Sequence, residues 1–215
     1  MALRVNEIFH SIQGESSYAG WPCVFVRLSG CNLRCSYCDT RYAYDEGRAM
    51  AIADIMECLR SFGCPLVEIT GGEPLLQTEA PRLIAQLLDS GYTVLLETNG
   101  SRDIGGIDAR CIKVVDFKCP SSGEASANDL GNIARLQEHD EVKCVIGSRE
   151  DYDFAREIVH LIRRDSSRGN TINFSPVFGR IEAKELAEWI LADRLRVRLN
   201  LQLHKCIWNP EQRGV

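Results

Sequence analysis

Seven short apolar runs rich in β-branched residues recur along the chain, at Cys23–Leu28, Leu66–Thr70, Thr93–Glu97, Ile112–Phe117, Val142–Ile146, Thr171–Phe174 and Val197–Leu203. Helical periodicity fills several of the gaps. Ile52, Ile55, Met56 and Leu59 share a face at i, i+3, i+4 and i+7, and Gly63 can stop that helix. Leu83, Ile84, Leu87 and Leu88 mark a second helix, ended by Gly91. Phe154, Ile158, Leu161 and Ile162 mark a third, and Ile181–Leu191 is again amphipathic. Strands alternating with helices imply crossover units and a mainly parallel sheet. Val197, Leu199, Leu201 and Leu203 alternate with Arg198, Asn200 and Gln202, the pattern of an edge strand with one wet face. The expected class is α/β, with about six mainly parallel strands and crossover helices. Such a sheet forms either an open doubly wound layer or an incomplete TIM-type barrel, and in both ligands gather at the carboxyl ends of the strands.

At 215 residues, with no linker or internal repeat, the chain reads as one domain over 1–215. Its net charge of −5 points to no nucleic-acid surface, and Arg163-Arg164 and Arg194–Arg198 read as solvated faces. The N-terminus lacks the basic and apolar regions of a signal peptide. No apolar run approaches the roughly 20 residues of a membrane span. The expectation is a cytoplasmic protein that binds neither membrane nor nucleic acid. Its ten cysteines are then not disulfide staples. Cys23, Cys58, Cys64, Cys111, Cys119, Cys144 and Cys206 are scattered and read as reduced, mostly buried apolar residues. Asn173-Phe-Ser175 matches a glycosylation sequon by chance.

The other three cysteines, Cys31, Cys35 and Cys38, directly follow the strand that ends at Gly30. Thiolates suit zinc or iron–sulfur clusters. A structural zinc wants a fourth Cys or His close by, yet the residues that follow are Asp39, Thr40 and Arg41. Three close ligands without a fourth describe a metal centre with one position open for chemistry. Distant Cys58 or Cys64 could still close a zinc site.

The Cys-x3-Cys-x2-Cys spacing resembles the signature of the radical S-adenosylmethionine superfamily. That resemblance implies a [4Fe–4S] cluster on Cys31, Cys35 and Cys38, whose fourth iron binds S-adenosylmethionine, and an incomplete barrel as the fold. One-electron cleavage of the sulfonium would then give a 5′-deoxyadenosyl radical. A second motif supports it. Val67-Glu-Ile-Thr70 runs into Gly71-Gly72-Glu73-Pro74, and two glycines after a strand let backbone approach a ligand. Alone this would read as an ordinary turn with Pro74 opening a helix. Beside the triplet it resembles the superfamily loop for the methionine amino group. Glu97-Thr-Asn-Gly100 is similar but is also a common turn.

Ile8–Glu15, Gly20–Arg27, Cys38-Asp39-Thr40, Asp116–Ser121 and Gln202–Trp208 closely resemble the 7-carboxy-7-deazaguanine synthase family over essentially the whole chain. The resemblance implies ring contraction of 6-carboxy-5,6,7,8-tetrahydropterin with loss of ammonia, for queuosine-type 7-deazapurines. S-adenosylmethionine would act catalytically and Mg2+ would be required. The implied chemistry is hydrogen removal from C6 of the pterin followed by rearrangement, with no side-chain nucleophile. Carried over, the substrate residues are Ile12, Gln13, Gly14, Glu15, Arg27, Thr70, His204 and Pro210, with Thr40 on magnesium. Without the family, Thr40 would read as a helix cap and Asp39 as the likelier magnesium ligand. The implied cofactor contacts are Tyr37, Cys38, Asp39, Gly72, Cys119, Pro120, Ser121, Ser175, Pro176, Val177 and Phe178. His204 is expected on the last strand, and a segment of about 196–215 should close over substrate, through Pro210 or through the extension beyond it. A flavodoxin-type or other low-potential electron donor and a homodimer are also implied. Two rivals stay open: a glycyl-radical activase acting on another protein's backbone, and a zinc-stabilised interaction module.

Overall fold

The computed structural model describes residues 2–165, 169–210 and 212–215. Its elements run β1 (Ala2–Ile12), β2 (Pro22–Leu28), β3 (Arg48–Ala51), α1 (Ile52–Phe62), β4 (Leu66–Gly71), α2 (Ala80–Asp89), β5 (Thr93–Thr98), β6 (Ile112–Asp116), α3 (Asn132–Arg135), β7 (Glu141–Ile146), α4 (Arg149–Asp165), β8 (Thr171–Pro176), α5 (Ala183–Ala192), β9 (Arg198–Leu199) and α6 (Leu203–Ile207). Among the described residues they make one sheet in the order β3-β1-β2-β4-β5-β6-β7-β8-β9. From β2 onward every pairing is parallel, and β1 and β3 add an antiparallel margin. The order has two free ends, so the barrel stays incomplete, as expected.

β1 and β3 lie outside the apolar runs that mark the other strands, and the last strand is shorter than its alternation predicts. Val197–Leu203 alternates as a strand should, but only Arg198–Leu199 pairs with β8, and the chain turns into α6 at Leu203. His204 therefore sits on a short helix rather than a strand. α1 and α2 lie where the periodicity places them, and Gly63 ends α1 in the left-handed conformation at φ 63°.

Residues paired across a ladder share a face, and faces alternate along each strand. One face is apolar: Val24, Val26, Val67, Ile69, Val94 and Leu96 pack under Ile55, Leu59, Leu83, Ile84 and Leu87 of α1 and α2. Val142, Cys144, Ile172 and Phe174 pack under Ile158, Ile162, Leu186 and Ile190 of α4 and α5. Truncating a fully buried member such as Ile55 would cost about 2–5 kcal/mol. The opposite face is polar. Arg27 pairs with Thr70, Glu68 with Leu95, Glu97 with Val114, Asp116 with Lys143, Lys143 with Asn173, and Val145 with Ser175. Strands that are apolar toward helices and charged on the inside line a concavity built for a polar ligand. The ten cysteines are free, with Cys23, Cys64, Cys111, Cys119 and Cys144 buried. Asn173 of the sequon is also buried. No described helix is long and apolar enough to cross a membrane.

Candidate active site

The loop after β2 carries the cysteine triplet at the carboxyl end of the sheet. Cys31, Cys35 and Cys38 are half-buried and within electrostatic reach of one another. The Cys31 thiol accepts from the Leu33 amide at 3.4 Å and from Asn99 Nδ2 at 3.8 Å. Burial pushes Cys31 up and raises Cys35 to about 11, with the buried Lys118 ammonium pulling Cys35 the other way. Among the described residues no three His, Cys, Asp or Glu side chains converge on one ion. A [4Fe–4S] cluster does not ask this, because each thiolate takes a different iron. Cys64 precedes β4 while the triplet follows the parallel β2, so they lie at opposite ends of the sheet. The Cys64 thiol instead donates to the carbonyls of Pro22 and Leu66.

The glycine loop after β4 packs directly on the triplet. A Cβ at Gly72 would fall 2.2 Å from the Gly30 carbonyl oxygen and 2.7 Å from Cys31 Cβ, so only glycine fits. The Glu73 amide donates to Gly30 at 2.8 Å. The buried Glu73 carboxylate accepts from Thr98 Oγ1 and the Asn99 amide, tying the β5 end to the same point. A third loop is fastened by Ser36, whose amide and hydroxyl donate to the carbonyls of Ser122 and Ser121 at 2.9 and 2.7 Å. Asp151 in turn accepts from the Ser121 amide and hydroxyl and the Gly147 amide. The carboxyl ends of β2, β4, β5 and β6 thus converge on one rim, which holds Gly72, Cys119, Pro120 and Ser121. Ser175 and Pro176 end β8, followed by Val177 and the exposed Phe178.

This rim fits the groups that its motifs imply. The donors are soft thiolates, Gly72 brings the β4 loop against the Gly30 backbone and Cys31, and the buried Tyr37 hydroxyl, Ser175 hydroxyl and one Asp116 oxygen have no protein partner. Burial pushes the Tyr37 hydroxyl far up, so it is a neutral donor.

Behind the rim, the chain from β1 folds in against the polar face. Gln13, Glu15 and Ser16 are buried, and the turn uses a left-handed Ser16 at φ 62°. Gln13 Nε2 donates to Glu68, while its Oε1 accepts from the Glu15 amide at 3.0 Å. Ser17 bonds Glu141, and Lys143 pairs with both Glu15 and Glu97. Arg27 gives its Nε to Glu7 at 2.8 Å and lies between the rings of Phe9 and Tyr42. Glu68, Glu97, Lys143 and Asp116 were missed as site residues in the sequence. The signal for them was a charge inside an apolar run, at positions that a strand buried on both faces should not tolerate.

α6 joins the two regions. The Leu203 amide donates to Gly14 at 3.0 Å, and Lys205 Nζ pairs with Asp39 at 2.6 Å beside the triplet. Thr40 Oγ1 donates to the same Asp39 carboxylate at 3.0 Å. Burial opposes ionisation of Asp39, but Lys205 and Thr40 outweigh it and hold the carboxyl well below its usual range. Burial lowers His204, leaving a neutral imidazole near Glu15. Beyond an exposed Pro210, Arg213 stacks on Tyr42 at 3.7 Å and pairs with Glu46 at 2.9 Å. The segment after β9, one edge of the sheet, thereby reaches residues just before β3, the other edge.

Comparison with known proteins gives this arrangement its family. The Radical SAM superfamily matches residues 25–114. The 7-carboxy-7-deazaguanine synthase of Chlorobaculum tepidum is 49% identical over 218 residues, covering 99% of this chain and 97% of that protein. The chain belongs to the 7-carboxy-7-deazaguanine synthase family. Its relative from Koribacter versatilis is 44% identical over 99% of this chain and all of that protein. Among solved structures, QueE from Escherichia coli superposes with a TM-score of 0.79 at 22% identity, covering 94% of each chain. Streptococcus suis SuiB bound to S-adenosylmethionine shares the fold with a TM-score of 0.55 at 14% identity, over 80% of this chain and 44% of that one. A 7-carboxy-7-deazaguanine synthase is a lyase, and the superfamily implies a [4Fe–4S] cluster and S-adenosylmethionine.

Proposed function

We propose that this enzyme contracts 6-carboxy-5,6,7,8-tetrahydropterin to 7-carboxy-7-deazaguanine with loss of ammonia, and that the reaction requires magnesium. One observation carries the reading beyond family membership: α6 touches both the buried polar segment at Gly14 and the cluster loop at Asp39. A polar ring held on the inner face would then lie beside the radical source.

When bound, the cluster and S-adenosylmethionine supply one-electron cleavage and the hydrogen abstraction that starts the rearrangement. The chain supplies position. Cys31, Cys35 and Cys38 would hold three irons of the cluster. Tyr37, Asp39 and Gly72, with Cys119–Ser121 and Ser175–Phe178, would surround S-adenosylmethionine. Gln13 already spends one N–H and one lone pair inside the protein, and its second N–H is left to the pterin with the Glu15 carboxylate. Ile12, Gly14 and Thr70 complete that edge. Glu7 fixes Arg27 through Nε, which leaves both terminal nitrogens for the substrate carboxylate. His204, uncharged, donates or accepts according to its tautomer. Thr40 would offer magnesium a hard oxygen of the kind that ion prefers. The Arg213–Glu46 contact and the chain through Pro210 shield the open side from water. A low-potential flavodoxin-type protein would deliver the electron, and the enzyme would work as a homodimer in the cytoplasm.

The test is anaerobic incubation of reconstituted protein, carrying roughly four irons per chain, with the carboxypterin, S-adenosylmethionine, reductant and magnesium. The deazaguanine product is expected, and its yield should fall when magnesium is removed. Protein that cleaves S-adenosylmethionine yet forms no deazaguanine would remove the assigned substrate.

A further inference from the structure

Beneath the ligand-facing residues, the inner face buries Lys143 among several acids, including Asp116 across the ladder on β6. The Lys143 side chain is 7% exposed, pairs with Glu15 and stands 2.8 Å from Glu97 Oε1. Glu97 also shares a hydrogen bond with Glu68, whose partner on the other side is Gln13. Glu15 meets groups from every neighbouring element: Lys143 on β7, Glu68 on β4, and Gln202 and His204 at α6. His204 is held neutral by burial. Burial pushes Glu15 toward its acid form, and the Lys143 charge and hydrogen bond, with the Gln202 amide, reverse that and keep it ionised. A carboxylate this buried would otherwise take up a proton.

We propose that Lys143 is a positioning residue for the substrate: bridged between Glu97 and Glu15, its ammonium holds the Glu15 carboxylate in place as an acceptor for the N–H edge of the pterin ring. Lys143 itself need not touch the ligand. The inference rests on the pterin reading above and names what fixes its recognition edge. Charge and position are separable here, because an arginine at 143 keeps the first while shifting the second.

The experiment compares wild type with Lys143→Gln, Lys143→Met and Lys143→Arg, all reconstituted anaerobically, and measures KM and kcat for the carboxypterin from pH 6 to 9. Iron content and S-adenosylmethionine binding without pterin serve as controls. Wild-type KM should be flat across this range. Lys143→Gln should raise KM about tenfold or more, the scale of a lost hydrogen bond to a charged group, with kcat changed far less. Its KM should climb further as pH falls, because Glu15 without its cation takes up a proton. Lys143→Arg should restore the flat profile at a KM still severalfold above wild type. A KM for Lys143→Gln or Lys143→Met within twofold of wild type at every pH overturns the proposal. So does a Lys143→Arg protein that matches wild type in KM, a comparison that needs neither neutral variant to fold. Absence of turnover by wild type would instead strike the pterin assignment, and is seen before any variant is made.

Discussion

A Cβ placed on Gly14 would lie 2.2 Å from Nδ1 of His204 and 3.1 Å from its backbone nitrogen, so α6 seats on the Gln13–Glu15 segment only because residue 14 has no side chain. Nothing in the Gly14 backbone demands glycine; the close approach does. Gly14→Ala should therefore push α6 outward. The pterin KM should rise while iron content stays at the wild-type level, and stability should drop by about 1–3 kcal/mol as in other overpacked sites. An alanine variant with unchanged KM would show that α6 does not seal the site.

Cys35→Ala should abolish turnover and lower bound iron, because two remaining thiolates cannot hold a cluster that opens one coordination position. Thiol labelling gives a second measure. In native apo-protein Cys31, Cys35, Cys38, Cys58 and Cys206 are reachable, whereas Cys23, Cys64, Cys111, Cys119 and Cys144 are buried. Burial raises the Cys111 thiol to about 12, which suppresses its thiolate further. Rapid labelling should stop at the first group and reach the second only on unfolding. An unchanged iron count in Cys35→Ala would take the triplet out of the mechanism.

Particular residues show why the fold was more legible than the site. Runs such as Cys23–Val26 and Val94–Leu96 are buried on both faces, so their apolar continuity survives in one dimension. β1 escaped notice because β3 covers only Ala2–Val5, and beyond them the strand is half-buried with polar residues interspersed. Val197–Leu203 misled for the opposite reason: its alternation is real, but β8 offers pairing only to Arg198 and Leu199. Within the site, the cysteine and glycine motifs are local and could be read. The Lys143–Glu15 pair spans 128 positions in sequence, and the Lys205–Asp39 pair spans 166. Nothing in either neighbourhood names the partner; only the folded sheet brings them together.

Lys205 and Thr40 act on the same Asp39 carboxylate, and their removal should have opposite effects on magnesium. Thr40→Ala deletes the proposed oxygen ligand, so more magnesium should be needed for half-maximal activity, with iron unchanged. Lys205→Ala frees Asp39 from its ammonium and offers the metal a second hard oxygen, so less magnesium should suffice. The same change cuts one tie between α6 and the cluster loop, and the pterin KM should rise. Magnesium titrations of the two variants decide this. A parallel shift in both would show that neither residue faces the ion.

Glu68 predicts a stability change of unusual sign. Burial first, then the neighbouring Glu97 and Glu15 carboxylates, raise its pKa well above the ordinary 4.5. The folded protein therefore keeps a proton that the unfolded chain releases above about pH 4.5. Wild type loses stability as pH climbs from that point toward the folded pKa, since only the unfolded state gains by ionising. Glutamine at this position still accepts from Gln13 and donates to Glu97, and has no proton to surrender. Glu68→Gln and wild type should melt together near pH 5, and the variant should gain by a few degrees by pH 8, where about 1 kcal/mol moves Tm by 2–4 °C in a domain of this size. Thermal melts at the two pH values provide the measurement. A variant less stable than wild type at pH 8 would mean that Glu68 is ionised in the native protein, adding one more carboxylate to Glu15, Glu97 and Asp116 around Lys143.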